Sequence, residues 1–371
     1  MCRETCKVQH LLNNHVKRLF LALFAFAVCA GLGLTTWLMM ANGGTLSQSQ
    51  LKKSRRQMAK TCERLKIELP PLDKAAPGQT SPALQKYLAY YDLELENTDH
   101  VCGMLKTKNY EIFVHQLIPR KPLQGTIVFS HGYLDHSALY SNFVRFFTDL
   151  NYAVVLWDLP GHGLSSGPRA AINDFAHYGT LLADVFETSR KRLPQPYFLI
   201  GHSTGCSATM EYMRIYPDEA KVVKAAIFVA PLVRSYAWHS SQLARKLIQP
   251  VVSTLPHIDR QVTHDKDFQN FLEKADPLRC DAIPLPWVHA LTEWNRDIHN
   301  WSPPAQRPAL YIIQGTDDTV VSWQYNLEFL TQIFPDAKVK KIPGGYHHLL
   351  NEKPSMRAQV YAYILKALSD M

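Results

Sequence analysis

Tyr197-Phe198-Leu199-Ile200-Gly201-His202-Ser203-Thr204-Gly205-Cys206 is the stretch on which the reading of the chain turns. The apolar run Tyr197 to Ile200 has the length and composition of a buried strand, and it breaks at Gly201. Helix-compatible residues, Ala208 to Met213, take over after Gly205. A Gly-x-Ser-x-Gly pentapeptide between strand and helix is a nucleophile elbow, with the serine on a sharp, strained turn. The glycines follow from that geometry, because side chains two residues to either side of the serine would collide with its neighbours. A serine in an ordinary glycine-bounded turn is the competing reading. The strand before it and the helix after it favour the elbow.

Working outward, the chain repeats one rhythm. Strand Thr126 to Phe129, a helix near Ala138 to Leu150, strand Tyr152 to Trp157 and a helix near Phe175 to Leu193 precede the elbow. Strand Ala225 to Val229 follows it. Strands alternating with helices of this length indicate an α/β class with a mainly parallel sheet covered on both faces. Upstream, Tyr110 to Pro119 alternates loosely and reads as an antiparallel edge strand. From Leu232 to about Pro304 the rhythm lapses into scattered prolines and mixed helical patterns, which read as an inserted helical cap. Its tryptophans, Trp238, Trp287, Trp294 and Trp301, suit an acyl-binding wall, though each is more simply a packing residue. The rhythm resumes at Ala309 to Ile313 and Val339 to Ile342, and a helix from Ser355 to Ala367 closes it.

Acyl transfer by serine needs a base, an acid that orients the base, and N–H donors for the oxyanion. Sheet enzymes of this type supply the triad in the order Ser, Asp or Glu, His, from loops at the carboxyl ends of strands. Past Ile312-Ile313 stands Gln314-Gly315-Thr316-Asp317-Asp318, and past the last strand stands Pro343-Gly344-Gly345-Tyr346-His347-His348. Position alone leaves two acids and two histidines in contention.

Ser203, Asp318 and His347, with His131-Gly132-Tyr133 after the first parallel strand, resemble the α/β-hydrolase fold. The stretch His131-Gly132-Tyr133-Leu134-Asp135-His136-Ser137 is similar to the monoacylglycerol lipase and bacterial lysophospholipase branch, as is Asp158-Leu159-Pro160-Gly161-His162-Gly163-Leu164-Ser165. The resemblance covers roughly residues 105 to 371. It implies Ser203 as nucleophile, His347 as base and Asp318, three residues after Gly315, as acid, with Asp317 left to solvent. The Gly-x-x-His pattern from Gly344 selects His347 over His348. The implied oxyanion hole is the backbone N–H of Tyr133 and of Thr204, which leaves the Tyr133 side chain free to line the pocket. His162 and His202 sit in glycine-flanked turns and are expected to hydrogen-bond locally. With no His-Glu-x-x-His and no acidic cluster at metal spacing, neither a metal nor a cofactor is expected.

Net charge is +8, and its location carries the information. Nine of the 40 basic residues but only one of the 32 acidic ones, Glu4, fall within residues 1–60, so the rest of the chain balances at 31 of each. A nucleic-acid binder spreads its basic excess over the folded surface, so nucleic acid is set aside as a partner. Leu19 to Ala41 is a 23-residue stretch without a charged side chain, flanked by Lys17-Arg18. As a helix it is roughly 35 Å long, enough to span a hydrocarbon core. A cleaved signal peptide has a shorter apolar region, and Met39-Met40-Ala41 is a poor small-x-small cleavage site. A single-pass transmembrane anchor in the cell membrane is therefore expected. Positive residues near both ends are similar in number, so the side of the catalytic domain is left open. The basic run Leu51 to Lys60 reads equally as a helix on anionic headgroups or as a solvated linker face. The expected organisation is a basic tail (1–18), the anchor (19–41), a juxtamembrane segment and linker (42–100), and the hydrolase domain (101–371) with its cap at about 232–304.

The seven cysteines show no Cys-x-x-Cys pair and form neither a zinc site nor a disulfide framework by spacing. Cys62 and Cys102 would pair only in an oxidising compartment. An apolar cap and an anchor suit a lipid ester with one acyl chain and a polar head, monoacylglycerol or lysophospholipid. Short esters, thioesters and peptides remain alternatives on the same triad, since one fold hosts many chemistries. Epoxide hydrolysis and dehalogenation are disfavoured, because Ser203 stands where those reactions use an aspartate. A non-catalytic membrane-tethered interaction domain would be marked by a missing triad member, and none is missing.

Overall fold

The computed structural model describes residues 48–238, 252–257 and 259–370. The described chain enters through helix α1 (Gln48–Glu68), a 3-10 turn at Leu72–Lys74 and helix α2 (Pro82–Tyr90). Ser81 caps α2 by accepting from the Leu84 N–H at 3.2 Å. Strands β1 (Thr98–Lys106) and β2 (Glu111–Pro119) form a hairpin. Strands and helices then alternate: β3 (Gly125–Ser130), α3 (Ser141–Asp149), β4 (Tyr152–Trp157), α4 (Ala176–Arg190), β5 (Tyr197–His202), α5 (Thr204–Ile215) and β6 (Val223–Val229). Next come β7 (Thr254–Pro256), the short α6 (Lys266–Asn270), β8 (Ala282–Pro284) and α7 (Leu285–Ile298). The rhythm resumes with β9 (Ala309–Gly315), α8 (Trp323–Ile333), β10 (Lys338–Ile342) and α9 (Pro354–Ser369).

Eight strands make one sheet in the order β1-β2-β4-β3-β5-β6-β9-β10, while β7 and β8 pair separately. β2 runs antiparallel to both neighbours, and every other pairing in the sheet is parallel. The central strands are apolar on both faces because helices cover both. β4 sends Ala153, Val155 and Trp157 into a core with α4 and α5, and Val154 and Leu156 into a second core with α3 and α9. This period-two sorting fixes the register of the sheet, since a one-residue slip would exchange the two sets.

Three features differ from the sequence-based expectation or lie beyond it. The run expected at the sheet edge is β2, one place in, with β1 outside it from Thr98 opposite Pro119 to Lys106 opposite Glu111. β2 is buried from Ile112 to Leu117. β1 carries Asp99, His100 and Gly103 among its apolar residues, which hides its alternation. The stretch read as juxtamembrane segment and linker is folded onto the body from Gln48 onward. Met58, Cys62 and Leu65 of α1 and Leu84 and Tyr87 of α2 join the core beneath α3 and α9. The proline-rich passage lies along β1, where the Met104 N–H donates to the Pro70 carbonyl at 2.8 Å. The apolar stretch 19–41 lies outside the described residues, and no helix among those described is long and apolar enough to cross a membrane.

Candidate active site

The elbow forms where β5 meets α5. Ser203 has φ 52° and ψ −112°, a left-handed backbone that L side chains rarely adopt. Three hydrogen bonds hold it there: its N–H donates to the Val229 carbonyl, and its carbonyl accepts from Cys206 and Leu232. The flanking glycines are steric requirements. A Cβ on Gly205 would lie 2.0 Å from the Ser130 carbonyl oxygen, and one on Gly201 would lie 2.5 Å from the Cys206 nitrogen. The start of α5 therefore rests directly on the carboxyl end of β3, beside the His131-Gly132-Tyr133 loop. Ser203 is only 5% exposed.

Asp318 and His347 meet from separate loops, past β9 and past β10. The His347 Nδ1–H donates to Asp318 Oδ2 at 2.7 Å. Asp318 also accepts from the Val320 and Val321 amides through Oδ1 and from the Gln314 side chain through Oδ2. Burial alone would raise its pKa, but the His347 ring and those amides hold the carboxyl below the usual range. An ionised Asp318 fixes the proton of neutral His347 on Nδ1 and leaves Nε2 as the basic nitrogen. Asp317 is exposed, as expected for a residue facing solvent. Among the described residues no hydrogen bond joins Ser203 Oγ to His347, and such bonds commonly tighten only when substrate binds.

His202 departs from the expected local bonding. Its Nε2–H donates to the His347 carbonyl at 3.1 Å, and its Nδ1 lies 2.9 Å from the Tyr140 hydroxyl, which donates to Asp135 Oδ2 at 2.6 Å. Asp135 Oδ1 lies 3.3 Å from His348 Nε2. One buried network thus ties the oxyanion loop, the elbow and the loop carrying His347. Burial pushes His202 down to about 4, so its ring is neutral. For Asp135 burial pushes upward, but His348 and His202 hold the carboxyl well below its usual range. His348, the rival to His347, is spent on this network. His162 does bond locally, through Nδ1 to the Pro160 carbonyl at 2.9 Å.

Thr204 is the first residue of α5, so its N–H is one of the donors a helix leaves without an internal partner. Tyr133 lies in a turn whose own hydrogen bond runs from the Asp135 N–H to the Gly132 carbonyl. Both candidate oxyanion donors therefore sit on backbone fixed by other bonds. The Tyr133 side chain is not free, contrary to expectation: its hydroxyl donates to the Ala170 carbonyl at 2.8 Å and its ring stacks on Trp287 of α7 at 3.6 Å. Trp294 packs on Phe175 and donates through Nε1 to Glu211 at 2.9 Å. Trp294 is thus a packing residue, while Trp287 joins the cap to the oxyanion loop.

Asp135, His202 and His348 bring one ligand atom each within 4.8 Å of one another, the spacing of a metal group. The atoms that face one another already serve each other, Tyr140 and the His347 carbonyl, and a metal between them would have to displace those contacts, while His348 Nδ1 is buried without a hydrogen-bond partner among the described residues. Sequence reasoning missed this network, because residues from three separate segments compose it. The only local signals were Asp135 after the His-Gly pair and a histidine preceding the elbow serine.

The arrangement supplies a strained serine, an oriented imidazole, one amide at a helix start and another in the turn after β3, the parts of an acyl-transfer site. Residues 121–354 match the family Hydrolase_4, described as serine aminopeptidase, S33. A monoglyceride lipase homolog of Monkeypox virus is 27% identical over 243 residues, 64% of this chain and 86% of that protein. A probable lysophospholipase L2 of Haemophilus influenzae is 21% identical over 270 residues, 66% of this chain and 84% of that protein. A soluble variant of monoglyceride lipase from Saccharomyces cerevisiae, solved in complex with a substrate analog, shares the fold. Its TM-score is 0.64 at 18% identity, over 75% of this chain and 98% of that one. The chain belongs to the Hydrolase_4 family and has the α/β-hydrolase fold, and the proteins it is similar to include monoglyceride lipases.

Proposed function

We propose that the protein is a membrane-anchored serine hydrolase that cleaves the carboxylic ester of single-chain lipids, monoacylglycerol or lysophospholipid, through an acyl-enzyme on Ser203. The observation that carries the chemistry is the 2.7 Å bond from His347 Nδ1–H to the ionised Asp318, in a loop tied through its His347 carbonyl to His202, the residue before a serine held at φ 52°. In the proposed cycle His347 Nε2 takes the Ser203 proton as Oγ attacks the ester carbonyl. The Tyr133 and Thr204 amides stabilise the oxyanion. The imidazolium then protonates the leaving alcohol, and a water deprotonated by the same nitrogen releases the fatty acid.

The lipase or esterase reading and the single-chain lipid substrate are both supported by the named relatives, a monoglyceride lipase homolog and a probable lysophospholipase. The apolar stretch 19–41 supports a single-pass anchor that keeps Ser203 beside a bilayer. The test compares fatty-acid release from monoacylglycerol and lysophosphatidylcholine by the protein and by Ser203→Ala. Equal release by the two would end the proposal. The family description names an aminopeptidase, so the same panel includes an aminoacyl anilide. Preference for that amide or for short esters over long acyl chains would replace the lipid reading.

A further inference from the structure

Helix α1 has two unlike sides. Met58, Cys62 and Leu65 are buried in the core, whereas Lys52, Lys53, Arg56 and Lys60 are exposed on the opposite side. Lys52, Arg56 and Lys60, spaced by four residues, stack along one stripe about 12 Å long. None of these four makes an ion pair among the described residues. Further along the helix the charges are neutralised, Lys66 by Glu63 at 3.0 Å and Arg64 by Glu68. No acidic residue precedes Glu63 in α1, so the first three turns present positive charge alone.

The chain before α1 names what faces this stripe. The apolar stretch ends at Ala41, six residues before Gln48. Six residues reach at most about 20 Å when fully extended. If residues 19–41 span a bilayer, the start of α1 lies within about that distance of the headgroups, and Lys60, the far end of the stripe, at most about 18 Å further along the helix.

The covered side of α1 bears on the catalytic loops. Arg55 pairs with Asp281 at 3.6 Å, and α1 packs against residues 271–275. That segment is held by α2, where Tyr90 donates to the Ala275 carbonyl and Tyr91 to Asp276 Oδ1, both at 2.8 Å. Asp276 in turn lies 3.2 Å from His136 Nε2, one residue past Asp135. On its other flank, Phe268 packs on His348 with ring centres 5.5 Å apart, and the His348 N–H donates to the Val262 carbonyl. A continuous set of contacts therefore runs from α1 to both the oxyanion loop and the His347 loop.

We propose that α1 is a membrane-surface strut: Lys52, Lys53, Arg56 and Lys60 bind anionic phospholipid headgroups, and the cap segment seated on its opposite face is thereby held at the bilayer where single-chain lipid enters. The proposal rests on the anchor and the lipid substrate proposed above. Each basic side chain near an anionic surface contributes about fivefold in binding.

The test uses the full chain in nanodiscs of phosphatidylcholine, with or without about 30 mol% phosphatidylserine. Amide hydrogen exchange in peptides covering 52–60 is read first, because it does not depend on activity. The expected result is exchange several-fold slower with phosphatidylserine. The difference should vanish at about 1 M salt, where the Debye length is ~3 Å. It should also vanish in K52E/R56E/K60E, and shrink in the milder K52Q/R56Q/K60Q with unchanged thermal unfolding. Monoacylglycerol hydrolysis should rise at least fivefold with phosphatidylserine in the natural protein only. Equal exchange in both discs, or a difference that survives K52E/R56E/K60E, overturns the proposal. Loss of the anchor reading is separately visible as a chain that sodium carbonate strips from the discs. Loss of the lipid reading is visible as absent hydrolysis with the exchange difference intact.

Discussion

At the scale of single residues, the two neighbouring acids of the 314–318 loop offer the sharpest contrast. Asp318 is buried and accepts four hydrogen bonds, including that from His347, while Asp317 faces solvent. Asp318→Asn should lower kcat on a chromogenic ester by about 10⁴, because the amide no longer fixes the imidazole tautomer. Asp317→Asn should stay within about twofold. Comparable losses from the two would mean that the acid has been misassigned. His202 acts at one remove, as a positioning residue, by donating to the His347 carbonyl. His202→Ala should lower kcat by about tenfold, the worth of one buried hydrogen bond, with KM nearly unchanged. A rise in KM at constant kcat would instead place His202 in substrate binding.

At the scale of elements, the elbow and the cap junction carry different kinds of cost. Gly205→Ala drives a Cβ to 2.0 Å from the Ser130 carbonyl, between α5 and β3. Neither element can retreat, so a loss of about 3 kcal/mol in urea unfolding is expected, with loss of fluorophosphonate labelling at Ser203. The cap junction is electrostatic. Burial lowers the His136 pKa, but the Asp276 carboxylate, aided by Asp158 and Asp135, raises it above its ordinary value of 6.5. For Asp276 burial raises, and His136, the Leu278 amide and Tyr91 bring it below the usual range. A histidine with a raised folded pKa contributes stability that is complete below pH 6.5 and is lost as pH climbs through the folded value. Asp276→Asn should therefore cost about 3–5 kcal/mol at acid pH. The gap to the natural protein should narrow as pH climbs above 6.5. A gap that widens with pH would refute the pairing.

For the whole molecule, the question is whether α1 belongs to the body. Cys62 of α1 and Cys102 of β1 are both buried free thiols, each pushed up to about 12, chiefly by burial. A buried, protonated thiol is inert to alkylation until the structure opens. Both should resist iodoacetamide in the native protein and react together on global unfolding, as read by mass spectrometry. Rapid labelling of Cys62 alone would show α1 detached, a loose tether and no strut.

Sequence by itself determined what is local. The elbow was legible because strand, glycine, serine, glycine and helix are contiguous, and a strained turn admits few side chains. The order of Ser203, Asp318 and His347 and the alternation of the central strands were legible for the same reason, since each strand carries its own period. The two-acid ambiguity needed the family resemblance to resolve, and the fold then buried Asp318 against His347 while leaving Asp317 outside. What only tertiary structure decided is long-range. His202 joins the His347 loop across 145 residues, and Asp276 pairs with His136 across 140. The place of β2 one strand in from the edge, the engagement of Tyr133 by Trp287 and the docking of α1 are of the same kind. No periodicity encodes such contacts, because each depends on which surfaces the completed sheet brings within a few ångströms of one another.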